Sequence, residues 1–131
     1  MSRERWRSRA RAAVRRYPEL IQAEADLRAG KITMTYNGMP SSPEAARKTE
    51  ILALRELPLN DRRDLEAVRT ALRVLERQNK NADLRYQLIE IVYWRRTHSV
   101  EGAAMKIHVS QDTAREWDQE FIKLVDAFRR R

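Results

Sequence analysis

Ser99-Val-Glu-Gly-Ala-Ala-Met-Lys-Ile-His-Val-Ser-Gln-Asp-Thr-Ala-Arg-Glu-Trp117 is the stretch on which the reading of the chain turns. Ser99 is placed to cap a helix, because its hydroxyl can accept one of the orphan N–H groups of a first turn. Glu101 falls in that turn, where a carboxylate suits the positive end of the dipole. A helix of about eight residues follows. His108 interrupts it, Val109 is apolar, and Ser110 caps a second helix that runs to about Phe128. Two short helices with this joint have the layout of a helix-turn-helix.

The residue types fit that layout for physical reasons. Helices that cross steeply need small residues where their backbones meet, and Gly102, Ala103 and Ala104 supply them. Ile107, Val109, Ala114 and Trp117 stand at offsets that anchor the crossing. The turn needs a residue that tolerates positive φ. Glycine is the usual choice, and His is among the side chains enriched there, which suits His108. Phe121, Leu124, Val125 and Phe128 hold the rear of the second helix. Gln111, Asp112, Arg115, Glu116 and Gln119 form its exposed front. An αα corner without a nucleic-acid role shares part of this pattern. Charge favours that corner: from Arg95 to Lys123 there are five basic and five acidic residues, and a neutral helix-turn-helix binds DNA weakly unless the basic ends supply the phosphate contacts.

Moving toward the N-terminus, residues 83–96 contain Leu84, Leu88, Ile89, Ile91, Val92, Tyr93 and Trp94. They are apolar nearly all round the helical wheel, which predicts a central helix packed on several sides. Arg95 and Arg96 close it, suiting the C-terminal dipole or a phosphate. A longer helix is expected from a cap at Asn60 to about Lys80, with Leu65, Val68, Leu72 and Leu75 as a core-facing stripe; Asn79 and Asn81 mark its exit. Two heptads are too few to specify a coiled coil. Before it, Ser41 or Ser42 caps a helix with Pro43 in its first turn, ending before Pro58. Residues 30–42 read as an extended linker. Residues 3–16 predict a basic helix with a thin apolar stripe of Trp6, Ala10, Ala13, Val14 and Tyr17. Pro18 breaks or kinks it, or begins a new helix, and Gly30 stops the segment.

The whole chain is 131 residues with a formal charge of +8, no Cys, and only 3 Gly and 4 Pro. The expected class is all-α, a small helical domain with a C-terminal helix-turn-helix. Disulfides and Cys-ligated zinc are excluded. Resolved along the chain, the charge is +6 over residues 1–16, −1 over the body and +3 over Arg129–Arg131. That distribution suggests basic ends that meet a polyanion by counterion release. The organisation expected is a basic N-terminal arm (1–29), a linker (30–42), a helical hairpin (43–82) and the helix-turn-helix unit (83–131).

Catalysis finds no footing. His98 and His108 lack helical metal-pair spacing, and phosphate-cradling glycine loops and nucleophile elbows are missing. The acids Asp61/Asp64 and Asp118/Glu120 read as exposed partners for nearby arginines. The reading is therefore of a protein that is not an enzyme, with no cofactor and no metal. The basic start has no apolar segment behind it, against a secretory signal, and no membrane span is expected.

Tyr17-Pro18 after a basic first helix, the long middle helices, Ile89-Glu-Ile-Val-Tyr-Trp94, Gly102-Ala-Ala, Val109-Ser-Gln-Asp-Thr-Ala and Trp117…Phe121-Ile resemble phage late-gene transcriptional regulators of the RinA/ArpU type. The resemblance is strongest over residues 84–128. It implies a helix-turn-helix similar to sigma-factor region 4, and a cytoplasmic, DNA-binding activator of phage late genes in a bacterial host cell. Partners would be double-stranded DNA and host RNA polymerase, with the protein a monomer or homodimer. Ser110, Gln111, Asp112, Arg115 and Gln119 would face the major groove. Arg115 suits guanine, Gln111 or Gln119 adenine, and Asp112 the cytosine amino group. Phosphate contacts are expected from Arg3, Arg5, Arg7, Arg9, Arg11, Arg95, Arg96, Lys106, Lys123 and Arg129. Two other readings stay open: a phage small terminase subunit binding DNA for packaging, and a polymerase-binding module that does not read bases.

Overall fold

A computed structural model of the chain describes residues 2–29, 57–78 and 80–131, with side chains in the first helix described from Arg5 onward. The helix expected from Pro43, the linker 30–42, and the roles given to Gly30 and Asn79 lie outside the described residues. All regular structure among the described residues is helical, as the scarcity of Gly, Pro and strand-like alternation predicts.

The first helix, α1 (Ser2–Ala29), continues through Pro18, so of the expected alternatives neither a break nor a new start occurs there. A proline inside a helix lacks the N–H that would reach the carbonyl four residues back. Here that oxygen belongs to Val14, and it accepts the indole Nε1–H of Trp94 at 2.8 Å. The orphan acceptor is satisfied from outside the helix, so the helix continues.

The second helix, α2 (Leu59–Gln78), starts one residue before the expected cap at Asn60. Its first bond runs from the Arg62 N–H to the Pro58 carbonyl at 2.9 Å, which puts Pro58 at the cap and Asn60 inside the first turn. Leu65, Val68, Leu72 and Leu75 are all buried, so the stripe faces the core. Each such aliphatic side chain contributes about 1.5–3 kcal/mol on burial.

Residues expected to form one central helix divide in two. An α-helical part, α3 (Ala82–Ile89), continues as a π-helical turn over Glu90–Arg95. Arg96 ends it at φ 57°, a left-handed terminus on a residue that is not glycine. Side chains across this junction divide between two clusters: Ile89 and Tyr93 join one, Leu88 and Ile91 the other, and Val92 touches both.

Two helices complete the fold, α4 (Val100–Lys106) and α5 (Gln111–Arg130). The main cluster draws Ala10, Ala13 and Val14 from α1, Ala67, Val68, Ala71, Leu72 and Leu75 from α2, and Phe121, Ile122 and Val125 from α5. The first three have no exposed surface. The N-terminal helix is thus a wall of the bundle and not a separate arm. Small residues let its backbone approach its neighbours, while Arg9 and Arg15 are exposed and Arg11 and Arg16 turn toward carboxylates of the bundle.

Two carboxylates read as exposed are buried. Asp64 is held by Arg129 Nε at 2.6 Å and Arg16 Nη1 at 3.3 Å. Asp118 accepts the Tyr93 hydroxyl at 2.5 Å and lies 3.5 Å from Arg11 Nη2. Each acid joins three elements, and burial is tolerable because donors surround it. Asp61 and Glu120 are less buried, and pair with Arg16 and Arg85 at 2.7 Å each.

Candidate nucleic-acid interface

The α4–turn–α5 unit is built by its caps. Ser99 Oγ accepts the Gly102 N–H at 3.2 Å, and Ser110 Oγ accepts the Thr113 N–H at 3.1 Å. Ser110 also donates its hydroxyl to Thr113 Oγ1 at 2.7 Å, so its side chain is committed to the cap. Between the helices, Ile107 N–H bonds the Ala103 carbonyl and Val109 N–H the Ala104 carbonyl, both at 3.0 Å. His108 carries the reversal at φ 61°. Its polar side chain is exposed, while Ile107 is buried and Val109 half-buried beneath.

Ala103, Ala104, Ile107, Ala114 and Trp117 form one cluster with Leu88 and Ile91, fixing α4 and the front of α5 on the central helix. Ala103 and Ala104 occupy the close approach. Gly102 does not: a methyl there would meet the His98 Cβ at 3.3 Å, so its smallness serves the loop that leads into α4. Trp117 is nearly buried, and the Arg85 guanidinium covers its ring at 5.0 Å.

Ser110, Gln111, Asp112, Arg115, Glu116 and Gln119 are all exposed, whereas Phe121, Ile122 and Val125 behind them are buried. The structure therefore brings the five expected base-facing residues to one solvent-facing surface. Arg115 is not idle on it. Its Nε donates to Glu101 of α4 at 3.1 Å and its Nη1 to Asp112 at 3.3 Å. The Glu101 carboxyl sits below the usual carboxylate range, held first by its own backbone N–H and then by Arg115. Glu101 as the tether of Arg115 was invisible in sequence, since a pairing between two helices follows no i,i+4 rule.

The expected phosphate contacts divide. Arg5, Arg7, Arg9, Arg95, Arg96, Lys106 and Lys123 are exposed. Of these, Arg95 pairs with Glu90 at 2.8 Å and Arg7 lies over the Trp6 ring at 5.4 Å. Arg11 and Arg129 are half-buried and have a structural role besides: their guanidiniums bind the buried Asp118 and Asp64 and so help hold the bundle together. The Arg3 side chain lies outside the described ones.

Among the described residues, no group of three or more His, Asp or Glu is placed to hold a metal ion, and no helix is long and apolar enough to cross a membrane. No protein-family model, no curated protein and no solved structure matches this chain.

Proposed function

We propose that the protein is a sequence-specific DNA-binding transcription factor that reads the major groove with the front of α5, in the manner of the phage late-gene activators its sequence resembles. One observation carries this reading. A doubly capped joint with a left-handed His108 presents Gln111, Asp112, Arg115 and Gln119 together on the solvent side of a helix whose rear is locked in the core. Polar, hydrogen-bonding side chains on the exposed N-terminal turns of such a helix are what direct readout uses.

The test is selection of DNA fragments from a random library by the purified protein at two salt concentrations, repeated with Arg115→Ala. The wild type should enrich a defined motif. The variant should lose about 1–3 kcal/mol on it and relax one base position. Enrichment without any motif, or a motif untouched by the substitution, would sink the assignment.

The two carboxylates on Arg115 favour one further reading, in which the same surface docks on RNA polymerase. Footprinting separates the two, because protection that appears only when polymerase is present belongs to the docking reading.

A further inference from the structure

A cleft of about 310 Å³ opens between the start of α1 and the end of α5, lined by Arg5, Trp6, Arg9, Asp126, Arg129 and Arg130. Four guanidiniums thus face one carboxylate in a concave space. Two are already engaged: Arg129 with Asp64 at 2.6 Å, and Arg130 with Asp126 at 3.1 Å. Arg5 and Arg9 are exposed and have no partner among the described residues. Like charges lining one concave space repel one another, and an anion among them removes that cost. The ion pairs behind the cleft fix its far wall, so an incoming phosphate meets donors already in position.

We infer that this cleft is a second nucleic-acid site, one that grips the phosphodiester backbone of duplex DNA without reading sequence. It lies at the opposite end of α5 from the polar front. Nineteen residue steps separate Gln111 from Arg130, about 28 Å along the helix axis. A major groove is only about 12 Å wide, so a duplex seated on the front of α5 leaves the cleft to a different stretch of backbone. An anionic membrane fits the cleft less well than DNA. Among the described residues the large exposed apolar side chains are Ile21, Leu59, Tyr86 and Met105, none of which lines it to insert among lipid chains. The assignment does not depend on which bases α5 reads.

The experiment is a salt titration of binding to a random-sequence duplex of about 20 bp, using the full chain. Replacing Arg5 and Arg9 together by Ala should lower affinity about tenfold or more at low salt. It should also reduce the slope of log affinity against log salt by about two, one step per lost phosphate contact. Replacing both by Lys should keep the slope, and Arg63→Ala with Arg73→Ala should keep it too, although the net charge falls equally. Thermal melts of each variant confirm that the fold survives, as exposure of these side chains leads one to expect. An unchanged slope in the Arg5/Arg9 alanine variant overturns the assignment. An equal drop in the Arg63/Arg73 control does so too, as does preferred capture of the wild type by phosphatidylserine vesicles. A missing base motif in the library selection would strike the reading of α5 and leave this titration untouched.

Discussion

The indole N–H of Trp94 is the donor that Pro18 lacks: it reaches the Val14 carbonyl at 2.8 Å across 80 residues of chain. The ring that carries it stacks on Tyr17 with centroids 5.6 Å apart and meets Tyr86 edge-on at 5.4 Å. Sequence separation is large, yet the consequence is local, because a helix with a proline in its middle stays a helix. Trp94→Phe keeps the stacking and removes the bond. It should cost about 1–3 kcal/mol, the penalty of a buried acceptor left unsatisfied. Pro18→Ala should recover part of that loss only when combined with Trp94→Phe, since alanine brings back the helical N–H. A double-mutant cycle by urea unfolding measures the coupling; additive effects would mean that Trp94 acts by packing alone.

Tyr93 and Asp118 form the second long-range lock, and it is sensitive to pH. Burial, followed by the nearby Asp118 charge, raises the Tyr93 phenol well above its ordinary value near 10. A raised acid pKa means that the unfolded chain releases the proton first. The stabilising contribution is complete below about pH 10 and is lost as pH rises above it. Tyr93→Phe should therefore destabilise the protein by about 1.5–3 kcal/mol at neutral pH, the range for a hydrogen bond to a charged group. It should also flatten the alkaline limb of a stability–pH curve. An alkaline limb as steep as that of the wild type would assign the loss to other groups.

How much of this was legible in sequence depends on the range of each interaction. Ser99, Ser110 and His108 act within a few residues of themselves, and their roles follow from residue type and spacing. The stripe Leu65, Val68, Leu72 and Leu75 follows from helical periodicity. Pro18, Asp64 and Asp118 defeat a sequence reading because their partners lie on other elements: Trp94, the pair Arg16 and Arg129, and the pair Arg11 and Tyr93. The same reason hides the role of α1. Counting charge over residues 1–16 suggests an arm, while Ala10, Ala13 and Val14 of its thin apolar stripe are fully buried in the main cluster. On the candidate site, the exposed front of α5 was readable, but the Glu101 tether and the Arg5/Arg9 cleft were not.

The left-handed turn gives a stability test independent of DNA. His108 sits at φ 61°, a region that β-branched side chains enter only with strain. His108→Val should cost about 1–2 kcal/mol, in line with the left-handed penalty for L-residues. His108→Gly should equal the wild type or exceed it by up to about 1 kcal/mol, as relief of strain outweighs the added freedom of the unfolded chain. Thermal unfolding of the two variants decides the matter. Equal stability for Val and Gly would show that the turn relaxes to negative φ in solution.

Glu101 holds Arg115 from the neighbouring helix at 3.1 Å, and under the proposed reading of α5 it is therefore a positioning residue and not a contact. Both side chains are exposed, so Glu101→Gln should leave the unfolding midpoint close to that of the wild type. Under that reading its effect belongs to DNA binding. Losing a negative charge beside the groove should raise affinity for unrelated duplexes, because phosphate attraction is sequence-independent. Losing the anchor on Arg115 Nε should lower discrimination at the one base that this arginine reads. Affinity for the enriched motif and for a scrambled duplex should thus converge in the variant, by at least about threefold in their ratio. The two affinities are measured side by side by fluorescence anisotropy at one fixed salt concentration. A ratio equal to that of the wild type would show that Arg115 finds its geometry on the DNA itself, without Glu101.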